Sequence, residues 1–90
     1  MIRIKICGIT NLRDAEHAVE YGAEAIGFVF AKSPRQVSLK TAANISRAVG
    51  PWVATVGVFV NESAKNILHI ASVCRLSAIQ LHGDEPAEFL

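Results

Sequence analysis

VATVGVFVNESAKNILHIASVC, residues 53–74, is the stretch of sequence that decides the fold. Its first eight residues are almost all apolar and rich in valine, which is typical of a buried strand. The following residues repeat apolar positions every three or four places, and Ser63 stands where a helix would be capped. The apolar stripe of that helix consists of Ala64, Ile67, Leu68, Ala71 and Cys74. The stretch therefore predicts one βα unit.

The same pattern recurs along the chain and predicts four βα units in an α/β fold. The first helix begins near Asn11, with Asp14 at cap-like spacing, and the second begins at Ser38. The sequence ends one turn into the helix that follows the fourth strand, so we expect a chain truncated in its fourth helix. The predicted strands are 3–7, 25–30, 53–60 and 78–81. Since eight such units close a (βα)8 TIM barrel, residues 1–90 are predicted to form a single half-barrel, the N-terminal half of that domain.

Composition and charge restrict the possible classes of protein. The 90 residues are 51% hydrophobic and 19% charged, enough for one modest core and no second domain. The net charge of +1 is scattered along the chain, so no nucleic acid or anionic membrane is expected as a partner. The first residues do not resemble a signal peptide, and no apolar run reaches the roughly 20 residues of a membrane span. We therefore expect a cytoplasmic protein with a small-molecule partner, whose Cys7 and Cys74 are reduced thiols.

Alternation within the strands divides their side chains between the two faces of the sheet. In the first strand, the apolar Ile4 and Ile6 are expected to face the helices. Lys5 and Cys7 would then face the inside of the barrel. For the later strands, with valines 56, 58 and 60 turned toward the helices, the same reasoning assigns to this inner face Thr55, Gly57, Phe59, Gln80 and His82. A face this polar is a poor packed core, so the pattern predicts a functional site, with Cys7 at the strand end where parallel α/β folds bind ligands.

The two cysteines receive different interpretations. A lone cysteine is often a small buried hydrophobe, and Cys74, on a helix stripe, fits that description. Cys7 ends a strand, precedes Gly8 and shares a face with Lys5, whose ammonium would favour the thiolate. The sequence therefore favours chemistry at Cys7, while leaving the structural role open.

Other candidates also have two interpretations. Arg35, in the loop 31–36, either clamps a carboxylate in a bidentate manner or is an ordinary solvated charge. His82 is either a pocket residue or a structural histidine. No glycine-rich phosphate loop occurs, and Cys7 with His82 falls short of the three or four ligands of a zinc site, so no metal is expected. Trp52 and Tyr21 are expected to pack near the N-terminal ends of the strands.

Four short motifs together resemble the phosphoribosylanthranilate isomerase family. They are KICGIT (residues 5–10), GFVF (27–30) with KSPR (32–35), VGVFVN (56–61) and QLHG (80–83). One motif stands at each strand end, and their order is that of the family. The resemblance extends over essentially the whole chain and implies the first half of the family's barrel.

This resemblance implies an Amadori rearrangement of N-(5-phosphoribosyl)anthranilate to 1-(2-carboxyphenylamino)-1-deoxyribulose 5-phosphate, without cofactor or metal. The family's general base corresponds to Cys7, and Arg35 is expected near the anthranilate carboxylate. Lys5, Gln80 and His82 would line or support the pocket. The family's aspartate general acid and phosphate-binding loops belong to the second half of its barrel. The chain is therefore expected to be inactive alone and to bind a missing C-terminal half-barrel or itself.

Two alternatives to this function remain. One is a different thiol-dependent sugar-phosphate enzyme or an aldolase-like barrel, which the KSPR and QLHG motifs disfavour. The other is a half-barrel that serves as a binding or assembly module without catalysis.

Overall fold

The computed structural model describes residues 4–81 of the chain. Its elements are β1 (Lys5–Ile6), α1 (Leu12–Glu20), β2 (Ala25–Val29), α2 (Leu39–Val49), β3 (Ala54–Phe59), α3 (Ala64–Cys74) and β4 (Ala78–Leu81). All neighbouring strands are parallel, in the order β1-β2-β3-β4. The predicted alternation of strands and helices is thus confirmed, and the expected fourth helix lies outside the described residues. Within residues 4–81, no helix combines the length and the apolar character needed to cross a bilayer.

Each helix begins at the capping residue that the sequence predicts. Asn11, Ser38 and Ser63 each accept a hydrogen bond from a backbone N–H three residues later. The Asn11 side-chain amide also donates to a carboxylate oxygen of Asp14 at 3.0 Å, which makes this cap a two-bond contact. The caps fix the point at which the chain enters each helix, and so they hold the helix ends of the loops that follow the strands.

The hydrophobic core lies between the helices and one face of the sheet. Ile26 and Phe28 of β2 are both 0% exposed, and Phe59 of β3 is 1% exposed. On the helix side, Ala15 and Ala42 are also fully buried. Because alanine has the smallest apolar side chain, the helices at these points lie close against the sheet.

The orientation of β3 is opposite to the expected one, because Gly57 and Phe59 face the helices. A Cβ placed on Gly57 would lie 2.5 Å from Cδ1 of Leu76, which packs against the core. The Phe59 ring stacks on Phe30, which also packs against the core, with ring centroids 5.2 Å apart. Gly57 therefore leaves space for apolar side chains of the core and does not open onto the inner face.

Thr55 belongs to the same helix-facing side and is not an inner-face residue. It is 3% exposed; its hydroxyl donates to the Arg75 carbonyl, and its backbone N–H donates to the Ser77 hydroxyl. Val56 and Val58 consequently face inward. The expectation was wrong because almost every residue of this strand is apolar, and such a uniform run gives no alternation from which faces can be assigned.

In β1 the expected faces are confirmed. Lys5 is level with Ala25 of β2, and Ile6 is level with Ile26. Residues that are level in neighbouring strands share a face of the sheet, and Ile26 lies in the core. Ile6 therefore faces the helix side, and Lys5 faces inward.

Three large side chains expected to pack are exposed instead. Trp52 is 91% exposed and Tyr21 87%, since both stand in the turns that follow helices. On α3, Ile67 and Cys74 are buried as expected, but Leu68 is 67% exposed. Leu68 is one residue from Ile67, about 100° around the helix, which turns it away from the sheet.

Candidate functional site

The Cys7 thiol stands at the C-terminal end of β1, next to the glycine of the neighbouring strand. It is free and exposed. A Cβ placed on Gly27 would lie 2.9 Å from the Cys7 sulfur, so the thiol occupies the space beside that glycine. A group that takes a proton from a substrate must be within reach of it, and the C-terminal edge of a parallel sheet is where substrates bind in such folds.

The backbone after Cys7 is anchored to β2. The N–H groups of Gly8 and Ile9 both donate to the Gly27 carbonyl, each at 3.0 Å. Gly8 has a φ of 82°, in the left-handed region that favours glycine, and Ile9 is buried in the core. The chain therefore turns out of β1 directly after the thiol, and β2 holds that turn in place.

The loop that carries Arg35 is tied to its own strand. The Val37 N–H donates to the Val29 carbonyl at 3.0 Å, at the end of β2. Within the loop, the Arg35 N–H donates to the Ser33 hydroxyl, also at 3.0 Å. These bonds return the loop to the C-terminal edge of the sheet, where Cys7 also lies.

The Arg35 side chain lies across Gly8. A Cβ on Gly8 would be 2.6 Å from Cδ of Arg35 and 3.0 Å from its Nη1. Cys7, Gly8 and Arg35 line one cleft, and the arginine is exposed. The structure thus brings the predicted cationic clamp beside the predicted base.

Lys5 and Gln80 also share the inner face, as predicted, and they contact each other. The Lys5 Nζ donates to the Gln80 Oε1 at 2.9 Å, although β1 and β4 are the two outer strands of the sheet. Four flat strands would separate them by about 14 Å, so the contact requires an inner face that curves. Through Ala25, Lys5 is level with Ala54, whereas Gln80 is level with Val58, four residues later. The lysine side chain therefore runs toward the C-terminal edge.

His82, the remaining predicted pocket residue, lies outside the described residues. The cleft that Cys7 lines extends along α1, and its further lining residues include Ile6, Ala18 and Tyr21. It also contains two ionisable residues of α1 that sequence reasoning did not assign to it, Asp14 and His17. Both are exposed, as their positions on the polar side of the helix indicate, but nothing in the helical period shows that this side borders the cleft. Across residues 4–81, no group of three or more His, Cys, Asp or Glu side chains could hold a metal ion.

Cys74 differs from Cys7 in being buried. It is 1% exposed, and its thiol donates to the Leu39 carbonyl at 3.6 Å. Burial raises the pKa of the Cys74 thiol above its ordinary value, because the thiolate is poorly solvated there. Cys74 is therefore a core residue, as predicted.

The chain is similar in sequence to isomerases of other organisms. The isomerase named N-(5'-phosphoribosyl)anthranilate isomerase from Thermotoga neapolitana is 58% identical over 90 residues, which span 99% of this chain and 44% of the relative. The corresponding protein of Geobacter sulfurreducens is 53% identical, with the same two coverages. The chain thus spans less than half the length of these relatives.

Solved structures confirm the architecture. The crystal structure of phosphoribosyl anthranilate isomerase from Thermotoga maritima superposes with a TM-score of 0.95 at 56% identity, covering 99% of this chain and 44% of that one. The fold is therefore the first half of the TIM barrel of that enzyme, as the four motifs predict. The family model described as N-(5'phosphoribosyl)anthranilate (PRA) isomerase matches residues 4–90. With the fold, the motifs and the relatives in agreement, the chain belongs to the PRA isomerase family.

Proposed function

We propose that this chain contributes the first half of a PRA isomerase, with Cys7 as the general base and Arg35 as the clamp for the substrate carboxylate. The observation that carries the proposal is the exposed Cys7 thiol at a strand end, with the Arg35 side chain in the same cleft. A phosphoribosyl anthranilate isomerase that is similar to this chain has been solved in complex with reduced 1-(o-carboxyphenylamino)-1-deoxyribulose 5-phosphate. The substrate we propose carries the same carboxylate and phosphate groups.

In the proposed reaction, the Cys7 thiolate removes the proton on C2 of the ring-opened aminoaldose. The electron pair of that C–H bond becomes the C1–C2 double bond of an enolamine, and the iminium nitrogen takes up the displaced pair. Proton transfer from the C2 hydroxyl and protonation of C1 then give the aminoketose. The net change is an isomerisation: C2 is oxidised to a ketone while C1 is reduced to an amine carbon, and the proton taken up by Cys7 is balanced by the proton delivered to C1. The reaction as proposed therefore needs no external oxidant or reductant and uses no cofactor or metal.

The proposal assigns the general acid and the phosphate anchor to the part of the relatives that this chain does not match. The chain alone is therefore proposed to be inactive. Lys5 and Gln80 would support the pocket from the inner face, as their mutual hydrogen bond suggests, and His82 would line it. A cytoplasmic location belongs to the same proposal.

Replacing Cys7 tests the proposal directly. In a barrel completed by joining this chain to the remaining part of the Thermotoga neapolitana relative, Cys7→Ala is expected to lower kcat about 100-fold or more, with a modest change in KM. Steady-state kinetics with the aminoaldose substrate measure both. Cys74→Ala is the matched control, since that thiol is buried in the core, and it is expected to leave kcat unchanged. Turnover by Cys7→Ala close to that of the control would refute the role of the thiol.

A second candidate function is an assembly module without catalysis. In the described part of the chain, β1 and β4 each pair on one side only, and open parallel edges invite further pairing. Beside these edges, Ile4, Ile6 and Ile79 are 40–44% exposed. The edges therefore fit either a second half-barrel or another copy of this chain.

Sedimentation of the isolated chain, with and without the second half of the relative as a separate polypeptide, separates the two candidates. We expect self-association of the chain alone, and a mixed complex with isomerase activity when the second half is added. A complex that binds the reduced product analogue without turnover would favour the assembly module. A stable monomer that does not bind the second half would contradict both the expected self-association and the expected mixed complex.

A further inference from the structure

We propose that Gly27 and Gly8 are positioning residues, which set the places of the Cys7 thiol and the Arg35 guanidinium through the space that their missing side chains leave. The inference rests on the proposed function, because it concerns the base and the clamp of that reaction. It goes further in naming what holds each group where it stands.

Gly27 leaves the space that the thiol occupies. A Cβ there would lie 2.9 Å from Sγ of Cys7, 3.3 Å from its Cα and 3.4 Å from its Cβ. Carbon atoms in good packing contact are about 3.5–4.0 Å from their neighbours, so the sulfur would have to move. A cysteine side chain has a single rotatable bond that places its sulfur, and its sulfur therefore moves by changing to another staggered rotamer.

Gly8 leaves the surface on which Arg35 rests. A Cβ there would be 2.6 Å from Cδ of Arg35, and the stem of that side chain would be pushed off the turn. The Gly8 N–H also donates to the Gly27 carbonyl, so the two glycines belong to one connection between β1 and β2. A side chain at position 27 would displace the Cys7 thiol, and one at position 8 would displace the Arg35 side chain.

These displacements have different kinetic consequences. A general base acts only in the transition state, and a misplacement of about 1 Å can cost about 100-fold in rate. A carboxylate clamp far from the reacting carbon holds ground state and transition state alike. A side chain at position 27 should therefore lower kcat, and one at position 8 should raise KM.

Gly27→Ala is compared with Gly57→Ala in the completed barrel. Gly57 stands on the next strand, and its Cβ would meet Leu76 and Phe59 of the helix-facing side and no residue of the site. We expect Gly27→Ala to have a kcat at least about tenfold below that of Gly57→Ala. We also expect an altered rate of Cys7 alkylation by iodoacetamide, read by peptide mass. Labelling of the buried Cys74 in the same samples reports unfolding.

Gly8→Ala is compared with Gly50→Ala and Gly22→Ala. The three glycines have φ values of 82°, 76° and 92°, so an alanine at each would adopt a positive φ that is unfavourable for it. Nothing lies within 4 Å of a Cβ at Gly50 or Gly22. We expect Gly8→Ala alone to raise KM, by about tenfold, because only there is a substrate-binding side chain displaced. An unchanged KM, or an equal rise in the two controls, would overturn this half of the proposal.

The rate of Cys7 alkylation tests the positioning role of Gly27 without relying on isomerase turnover. If Cys7→Ala abolishes turnover but Gly27→Ala matches Gly57→Ala in kcat and in Cys7 alkylation, the positioning role is wrong and the isomerase role stands. If Cys7→Ala is fully active, the isomerase role fails, and a changed alkylation rate still supports the positioning.

Should Gly27→Ala unfold, a thermal-stability comparison decides between the sulfur contact and a general packing defect. Removing the sulfur removes the 2.9 Å contact, so Gly27→Ala should lower Tm much less in a Cys7→Ala background than in the presence of the thiol. An equal loss of Tm in both backgrounds would overturn the proposal.

Discussion

The two faces of the four-stranded sheet differ in what they bury and in what they expose. On the helix-facing side, Ile26 and Phe28 are completely buried among apolar side chains. On the inner side of the described residues, Lys5 and Cys7 are exposed. Burial of apolar area is the main source of folding free energy, so the helix-facing side carries most of the stability. The inner side is left free to hold reactive and polar groups.

The inner side carries small residues between the inward-facing valines of β2 and β3. Side chains no larger than a methyl group stand there at four positions of β2, β3 and β4: Ala25, Gly27, Ala54 and Ala78. Because these side chains are short, they leave space on the inner face for the longer side chains of Lys5 and Gln80, which contact each other across it. Residues on this side are therefore expected to affect chemistry more than stability.

The largest expected effect on stability comes from the helix-facing side. Phe28→Ala should lower the free energy of unfolding of this chain by about 3–5 kcal/mol, because it removes a fully buried ring from the core. Its matched control is Val29→Ala, the next residue of the same strand, which is half-buried and faces inward. Urea unfolding followed by circular dichroism measures both. Equal losses for the two variants would break the distinction between the faces.

How far the sequence predicts these faces depends on the strand. β1 alternates polar and apolar residues, and the positions of Lys5 and Cys7 were predicted from that alternation. β3 is nearly uniform in its apolar character, so its pattern contains no alternation that places Thr55 or Phe59, and the face predicted for each of them is wrong. The helix caps were predicted because a capping side chain acts within three residues of itself.

The contacts that define the site lie beyond this kind of prediction. The sequence indicates Arg35 as a candidate cation, but its contact with Gly8 depends on how the loop 31–36 returns to the sheet. The space beside the Cys7 thiol depends on the register between β1 and β2, which places Gly27 next to it. Neither the loop path nor the register is contained in a local pattern of residue types.

A smaller effect is expected at the edge where the inner face meets the loops. Arg35→Ala in the completed barrel should raise KM by about 10- to 100-fold and leave kcat nearly unchanged, because a charged hydrogen bond of about 1.5–3 kcal/mol would be lost from ground state and transition state alike. The stability of the variant should change little, since the side chain is exposed. Lys32→Ala, in the same loop, is the control. A fall in kcat with an unchanged KM would contradict the clamp.

The smallest effect is expected for the contact that spans the inner face. The Lys5–Gln80 hydrogen bond has a charged donor but is exposed, and exposed charged contacts contribute only about 0.2–1 kcal/mol, because water solvates the ammonium in the folded and unfolded chain alike. Lys5→Met keeps most of the apolar stem of the side chain and removes the donor, and Lys65→Met makes the same change on a helix surface.

A double-mutant cycle with Gln80→Met, measured by urea unfolding, isolates the pair from other contacts of Gln80. We expect a coupling energy below about 1 kcal/mol between positions 5 and 80, and none between 65 and 80. A coupling of several kcal/mol would mean that the inner face holds the two outer strands together and contributes to folding as the core does. The distinction between a helix-facing side that stabilises the fold and an inner side that carries the reactive groups would then be wrong, because the inner side would also contribute to stability.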